Sequence, residues 1–288
     1  MFIYREFAPV CDSPSAPRIW PPPLLLHVGW PKAASTTLQI DVFSRLPGVA
    51  YLGLWPARDG RGRPLRGATA PSGAALWTQN SDWRRAMRSV LFSKEELPDS
   101  VVDFIRGTVE SIRRTGTPVL ISHEAFLGAR SWNVSAEEAR ARARRLFPDA
   151  RILLVSRPAN ELARSAYRDH PIHRDTGAPV SFAQWERRES AADGILPTLD
   201  TARVVAQWKK HFHQVVHAHF SATGSLAPQV SPALMDWLRD VVGEDELYDR
   251  LNHAGRRNPS SSQLEHVARL GKLGLRALFR KLRHWPRT

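Results

Sequence analysis

The stretch Leu24-Leu-Leu-His-Val-Gly-Trp-Pro-Lys-Ala-Ala-Ser-Thr-Thr-Leu-Gln39 decides how the rest of the chain reads. Leu24–Val28 is an apolar run of strand length, short enough and dense enough to be buried on both faces. Gly29 and Pro31 interrupt it, and Ser35 opens a helix that runs to Arg45 and is stopped by Pro47-Gly48. In a parallel sheet the loops at the carboxyl ends of the strands form the ligand crevice. The unpaired N–H groups at a helix start favour an anion there. Lys32 adds a full positive charge, and Ser35, Thr36 and Thr37 add hydroxyl donors. These are the parts of a phosphate cradle, although a lysine before Ser and Thr at a helix start is also ordinary capping. The stretch is not a Walker A loop, because Lys32 precedes the hydroxyl cluster and no second glycine follows.

Working outward, short apolar runs alternate with helical periodicity. Strands are expected at Val49–Gly53, Pro118–Ser122, Arg151–Ser156 and Gln214–Phe220. Val101, Val102, Ile105, Val109 and Ile112 mark a helix closed by Gly116, and Ser135 with Glu138 forms a capping box for an Arg-rich helix ending before Pro148. Another helix runs from the end of the fourth strand through Tyr167, and more are expected near 181–192, 200–211, 231–242 and 262–283. Residues 56–82, rich in Gly, Pro and Arg, read as an irregular surface excursion. This pattern gives an α/β class, three-layer α/β/α, with a central parallel sheet and helical additions at the C-terminus. The expected organisation is a proline-rich extended segment over 1–22, one α/β domain over 23–261 and a basic helix over 262–288.

The chain has 288 residues, 42% hydrophobic and 24% charged, which is ordinary for a globular protein. Its apolar runs fall far short of the ~18 residues of a membrane helix. A single cysteine, Cys11, excludes an internal disulfide framework and a multi-cysteine metal site. With no basic region and apolar core at the start, a reduced, cytoplasmic protein is expected. The net charge is +13, and residues 256–288 carry nine Lys or Arg against Glu265 alone. Leucines at helical spacing in that tail favour a helix whose basic face is solvated. Contact of residues 264–284 with an anionic membrane is the second reading and nucleic acid the third, since no helix-turn-helix, zinc or aromatic-rich RNA signature supports it. No nucleic-acid partner is expected.

The second informative stretch is Arg151-Ile-Leu-Leu-Val-Ser-Arg-Pro-Ala-Asn-Glu-Leu-Ala-Arg-Ser-Ala-Tyr167. A strand ends at Arg157-Pro158, and Ser165 follows eight residues after the arginine, then Tyr167. A guanidinium grips phosphate bidentately, and a serine hydroxyl adds one bond. Taken with the first loop, this resembles the sulfotransferase family. Pro31-Lys32-Ala33-Ala34-Ser35-Thr36 is similar to that family's 5′-phosphosulfate loop, P-K-[ST]-G-T-T, with Ala34 in place of the glycine. Thr37 stands where cytosolic animal members carry an adenine-stacking tryptophan. Arg157 and Ser165 match the 3′-phosphate motif, R-[NDE]-P followed by S-x-Y. The segments Val119–Leu127, Val180–Trp185 and Leu251–Ser262 look like parts of small bacterial members, so the likeness covers roughly residues 22–270. A basic-glycine loop in the family also holds the 3′-phosphate, and Arg256 and Arg257 match it loosely, with Gly255 before rather than after them.

The resemblance implies the P-loop-NTPase-like sulfotransferase fold and 3′-phosphoadenosine 5′-phosphosulfate (PAPS) as donor, with no metal. The sulfuryl group would pass in line to an acceptor hydroxyl, Lys32 stabilising charge on the leaving phosphate. His123 or Glu124, at the end of the third strand, would be the general base, with His123 preferred because Ser122-His123 aligns with the family's T-H pair. His211, His213, His217 and His219 lack supporting Cys or paired acids and read as structural. His170 and His173 read as surface or acceptor-site residues. Ten tryptophans, among them Trp30, Trp55, Trp77, Trp83 and Trp132, favour a carbohydrate or glycolipid acceptor modestly over a small phenol or amine. A non-catalytic nucleotide- or polyanion-binding relative and a P-loop-like kinase are the alternatives.

Overall fold

Leu24–Gly29 (β1) is buried along its whole length because it is the central strand of a parallel sheet. In this computed structural model, residues 21–30, 33, 35, 38–53, 81–128, 134–169, 180–190, 199–220, 227–238 and 241 are described. The chain divides into two units, Met1–Ala254 and Gly255–Thr288. All described residues lie in the first. Residues 1–20 of the expected proline-rich segment, residues 56–80 of the excursion and the basic C-terminal helix lie outside the described residues.

Besides β1 the sheet contains Ala50–Tyr51 (β2), Val119–Ser122 (β3), Arg151–Ser156 (β4) and Val215–His219 (β5), in the order β2-β3-β1-β4-β5. Every pairing is parallel. The chain leaves β1 toward one edge to form β2 and β3, then returns to lay β4 on the other side. That change of direction opens a crevice above β1, the place where doubly wound sheets bind ligands.

Helices cover the sheet. Ser81–Phe92 (α1), Asp99–Arg114 (α2) and Ala136–Leu146 (α3) pack against one another. Ala159–Asp169 (α4) follows β4, then come Phe182–Glu189 (α5), Thr201–Lys209 (α6) and Ala227–Leu238 (α7). Trp237 of α7 meets Phe43, whose ring lies 5.0 Å from His27, so α7 lies on the His27 face of the sheet. Partners in a parallel ladder share a face, which aligns His217 and His219 with Leu154 and Ser156 on the opposite side, toward α6. Helices on both faces give the α/β architecture expected.

Two arginines bind the layers. Arg113, 4% exposed, donates to the Pro22 carbonyl at 2.7 Å, Glu110 at 2.9 Å and Asp149 at 2.7 Å, tying α2 to the approaches of β1 and β4. Buried Arg142 of α3 donates to the carbonyls of Ser89, Val90, Ser93 and Glu95 at 2.7–3.1 Å, capping the end of α1. A guanidinium has five donors in a fixed fork, which is what four converging carbonyls require.

Some expectations need correction. The Ser135 hydroxyl accepts from Glu138 N at 3.1 Å, but the Glu138 carboxylate bonds Arg142 at 2.7 Å, so only half of the capping box forms. The helix after β1 is irregular: Leu38–Val42 is a π-helical turn that runs into a 3₁₀ turn over Phe43–Arg45. The wider turn lets Leu38, Gln39, Val42 and Phe43 all bury. α1 begins within the stretch read as ending an irregular excursion. α7 begins at Ala227, earlier than expected, and carries Pro232 inside it, which removes one backbone hydrogen bond. Among the described residues no helix is long and apolar enough to cross a membrane.

Candidate functional site

Three strand ends meet at the crevice. Gly29 of β1 is in register with Val155 of β4, and His27 with Ser122 of β3. Past the ladders, Trp30 N donates to the Val155 carbonyl at 3.0 Å and His123 N to the His27 carbonyl at 3.2 Å. The loops carrying Lys32, His123-Glu124 and Arg157 therefore leave neighbouring strands at one edge of the sheet.

The first loop turns tightly. The Trp30 carbonyl accepts from Ala33 N at 3.0 Å and from the buried Ser35 hydroxyl at 3.2 Å. A Cβ on Gly29 would lie 2.1 Å from Ser35 Oγ and 3.1 Å from His27 Nε2. Glycine is required because a hydroxyl and an imidazole occupy the space a side chain would take. This is the described part of the cradle: Gly29, Ala33 and Ser35. Pro31, Lys32, Ala34, Thr36 and Thr37 lie outside the described residues.

Beneath the loop runs a buried polar chain absent from the sequence reading. His27 Nδ1 is 2.7 Å from Ser122 Oγ, which also accepts from Gln39 Nε2 at 3.0 Å. His27 is fully buried, and burial pushes its imidazole down to about 3, so it is neutral near pH 7. Its Nε2 is buried with no hydrogen-bond partner among the described residues. The chain joins β1, β3 and the helix that follows the cradle. A polar residue inside an otherwise apolar central strand is the sequence signal that points to it.

At the end of β3 the two base candidates differ. His123 caps the 3₁₀ turn Glu124–Leu127 by accepting from Ala125 N at 3.0 Å through Nδ1, and its ring stands edge-on to Phe92 at 5.8 Å. With Nδ1 accepting, the neutral ring carries its proton on Nε2. Burial also pushes the imidazole down to about 4. Both features weigh against the preference for His123 as base. Glu124, half-buried at the head of the turn, is the carboxylate beside it.

At the end of β4, Arg157 donates to Glu161 Oε2 at 2.8 Å, and its guanidinium lies 5.8 Å from the Phe220 ring centre. Glu161 orients one edge of the fork, a constraint the motif alone does not reveal. Ser165 lies on α4, downstream of Arg157 as the motif expects, but its side chain is outside the described residues. So are Arg256, Arg257, His170 and His173. Arg157 borders a cleft of about 540 Å³ shared with α6 and β5, whose walls include Thr201, Lys209, His217 and His219. Ser156 Oγ is 2.7 Å from His217 Nε2 and 3.3 Å from His219 Nδ1. His217 and His219 thus border a cleft beside a candidate ligand residue, rather than serving only the fold. Their spacing of two on a strand sends both to one face, and the pairing of β5 with β4 is what sets that face beside Arg157.

Trp30 and Trp83 are 0% exposed. They are core residues and cannot stack on a sugar, while Trp55, Trp77 and Trp132 lie outside the described residues. Comparison of the sequence with protein-family models and with curated proteins gave no match.

Proposed function

We propose that the protein is a sulfotransferase that moves a sulfuryl group from PAPS to an acceptor hydroxyl, on a P-loop-NTPase-like sulfotransferase fold. The observation that carries this reading is the adjacency of β1 and β4 in register. It makes neighbours of the two strand ends, at Gly29 and Val155, after which the two motifs follow in sequence.

The residues suit the donor's two anionic ends. Gly29 lets the loop close over the strand end without a Cβ in the way. Thr36 and the loop amides would hold the 5′-phosphate, while the Ser35 hydroxyl, buried and donating to the Trp30 carbonyl, shapes the loop rather than reaching the ligand. Arg157 and Ser165 would hold the 3′-phosphate, joined by Arg256 and Arg257. The bound donor supplies the sulfuryl group, and the protein's part is to position it and stabilise charge. Lys32 would meet the charge that grows on the leaving phosphate oxygen. Glu124 is the better base for the acceptor proton, because the Nδ1 lone pair of His123 already accepts from Ala125 N.

A carbohydrate or glycolipid is the acceptor class we favour, now without the support of Trp30 and Trp83. The test is transfer of radiolabel from [³⁵S]PAPS to fractionated glycans, glycolipids, phenols and amines. Label in a carbohydrate fraction, absent with Lys32→Ala, is expected. Binding of PAPS with no label reaching any fraction would favour a non-catalytic relative.

A further inference from the structure

The cleft between β4, β5 and α6 gathers four basic side chains from three elements. Arg157 comes from the end of β4, Lys209 from the last turn of α6, and His217 and His219 from β5. No carboxylate lines it among the described residues, and the nearest described acid partner is Glu161 of α4, which holds Arg157 from outside the lining. Arg157 is paired with Glu161, so the cleft is left with the positive charge of Lys209 beside two imidazoles. Burial first, then the charges of His219 and Lys209, hold the His217 imidazole below the ordinary value.

Ser156 bridges the imidazoles, 2.7 Å from one and 3.3 Å from the other. A serine hydroxyl has two acceptor lone pairs and one proton. It can accept an N–H from each ring at once, whether the rings are neutral tautomers or protonated. With both rings neutral, one of them can instead accept the Ser156 proton, and protonating that ring reverses the bond. The bridge therefore suits either charge state and offers the rings a path to protonation.

We propose that this cleft is a proton-coupled site for a phosphate-monoester group, gripped by Arg157 and Lys209 and completed when the His217–Ser156–His219 bridge takes up a proton. A doubly charged phosphate would be attracted by Lys209 and Arg157, and more strongly once an imidazole beside it is protonated. Binding tightens as the pH falls toward the ordinary range of histidine, until the phosphate itself protonates. This deepens the donor reading and rests on it only for the identity of the nucleotide, whose 3′-phosphate would be the group held.

The test is calorimetric titration of the full chain with adenosine 3′,5′-bisphosphate, adenosine 5′-monophosphate and inorganic phosphate. Two buffers of different ionisation enthalpy reveal proton uptake. The ligand's own ionisation is common to all variants and cancels. The double variant His217→Gln/His219→Gln should take up at least about half a proton fewer than wild type, with affinity for the bisphosphate about tenfold weaker near pH 6.5 and nearly unchanged near pH 8.5. Equal uptake by variant and wild type overturns the inference. Should the variant unfold, proton NMR of wild type decides: the titration of at least one imidazole must rise by about one pH unit on adding ligand, and no movement overturns the proposal. Bisphosphate binding that depends on Arg157 but not on the histidines sinks this inference and leaves the donor reading standing. Histidine-dependent uptake with phosphate, but no preference for the bisphosphate over the monophosphate, keeps the cleft and sinks the donor reading. No binding of any probe removes both.

Discussion

Gly29→Ala tests the geometry of the cradle with one methyl group. The added Cβ would lie 2.1 Å from Ser35 Oγ, about 1 Å inside the closest approach real side chains show, and 3.1 Å from His27 Cε1 and Nε2. Ser35 is buried and donates to the Trp30 carbonyl at 3.2 Å, so its hydroxyl cannot swing away without losing that bond. Overpacking of this kind costs about 1–3 kcal/mol, and the lost hydrogen bond about 1 kcal/mol more. The expected destabilisation is therefore about 2–4 kcal/mol, measured by urea unfolding. Because the worst contact is with the hydroxyl and not with the backbone, removing that hydroxyl should relieve it. The double variant Gly29→Ala/Ser35→Ala should be more stable than Gly29→Ala by about 1–2 kcal/mol, although Ser35→Ala alone destabilises. Additivity of the two changes within about 0.5 kcal/mol would refute the packing reasoning.

Other consequences are as direct. Arg142→Ala leaves four carbonyls of the α1 end without their donor. It should cost about 3–5 kcal/mol in thermal unfolding, with Arg142→Lys recovering only part because one ammonium cannot reproduce the fork. Acid should destabilise the protein through His27 and His123, whose folded values lie at about 3 and about 4, below the ordinary 6.5. The unfolded chain then binds protons that the folded one refuses, so stability falls as the pH drops below 6.5, by about 1.4 kcal/mol per pH unit for each group. His27→Gln should flatten that slope, and an unchanged slope in urea unfolding from neutral to acid pH would contradict the burial of the ring. Glu124→Gln should lower sulfuryl transfer about 10²–10⁴-fold with unchanged bisphosphate affinity. A larger loss with His123→Gln, which keeps an acceptor for Ala125 N, would return the role of base to His123.

The sheet was legible because its strands are short, continuous apolar runs, and Arg151–Ser156 matches in both bounds. Helix α1 was missed although Trp83, Ala86, Met87, Val90 and Leu91 recur at helical spacing and all bury. The Gly-, Pro- and Arg-rich residues before it drew the loop reading too far. The half-formed box at Ser135 shows a local rule overridden by a tertiary one. Glu138 is worth more beside the buried charge of Arg142 than on its own helix start. At the site, the motif residues could be named from spacing alone. What spacing could not supply was their surroundings: the His27–Ser122–Gln39 chain, the bond that occupies His123 Nδ1, and the two histidines facing the Arg157 cleft. The first and last depend on which strands become neighbours, which periodicity within one strand does not carry, and the second on the tight turn that follows β3.

The central claim is that Lys32 and Arg157 serve one donor with two phosphate-bearing ends. Calorimetric titration with adenosine 3′,5′-bisphosphate, set against ATP with magnesium, tests it most directly in wild type, Lys32→Ala and Arg157→Ala. Tight binding of the bisphosphate, weakened at least about tenfold by either substitution, and little response to ATP–magnesium is the expected result. Tight binding of ATP–magnesium with indifference to the bisphosphate would contradict the account.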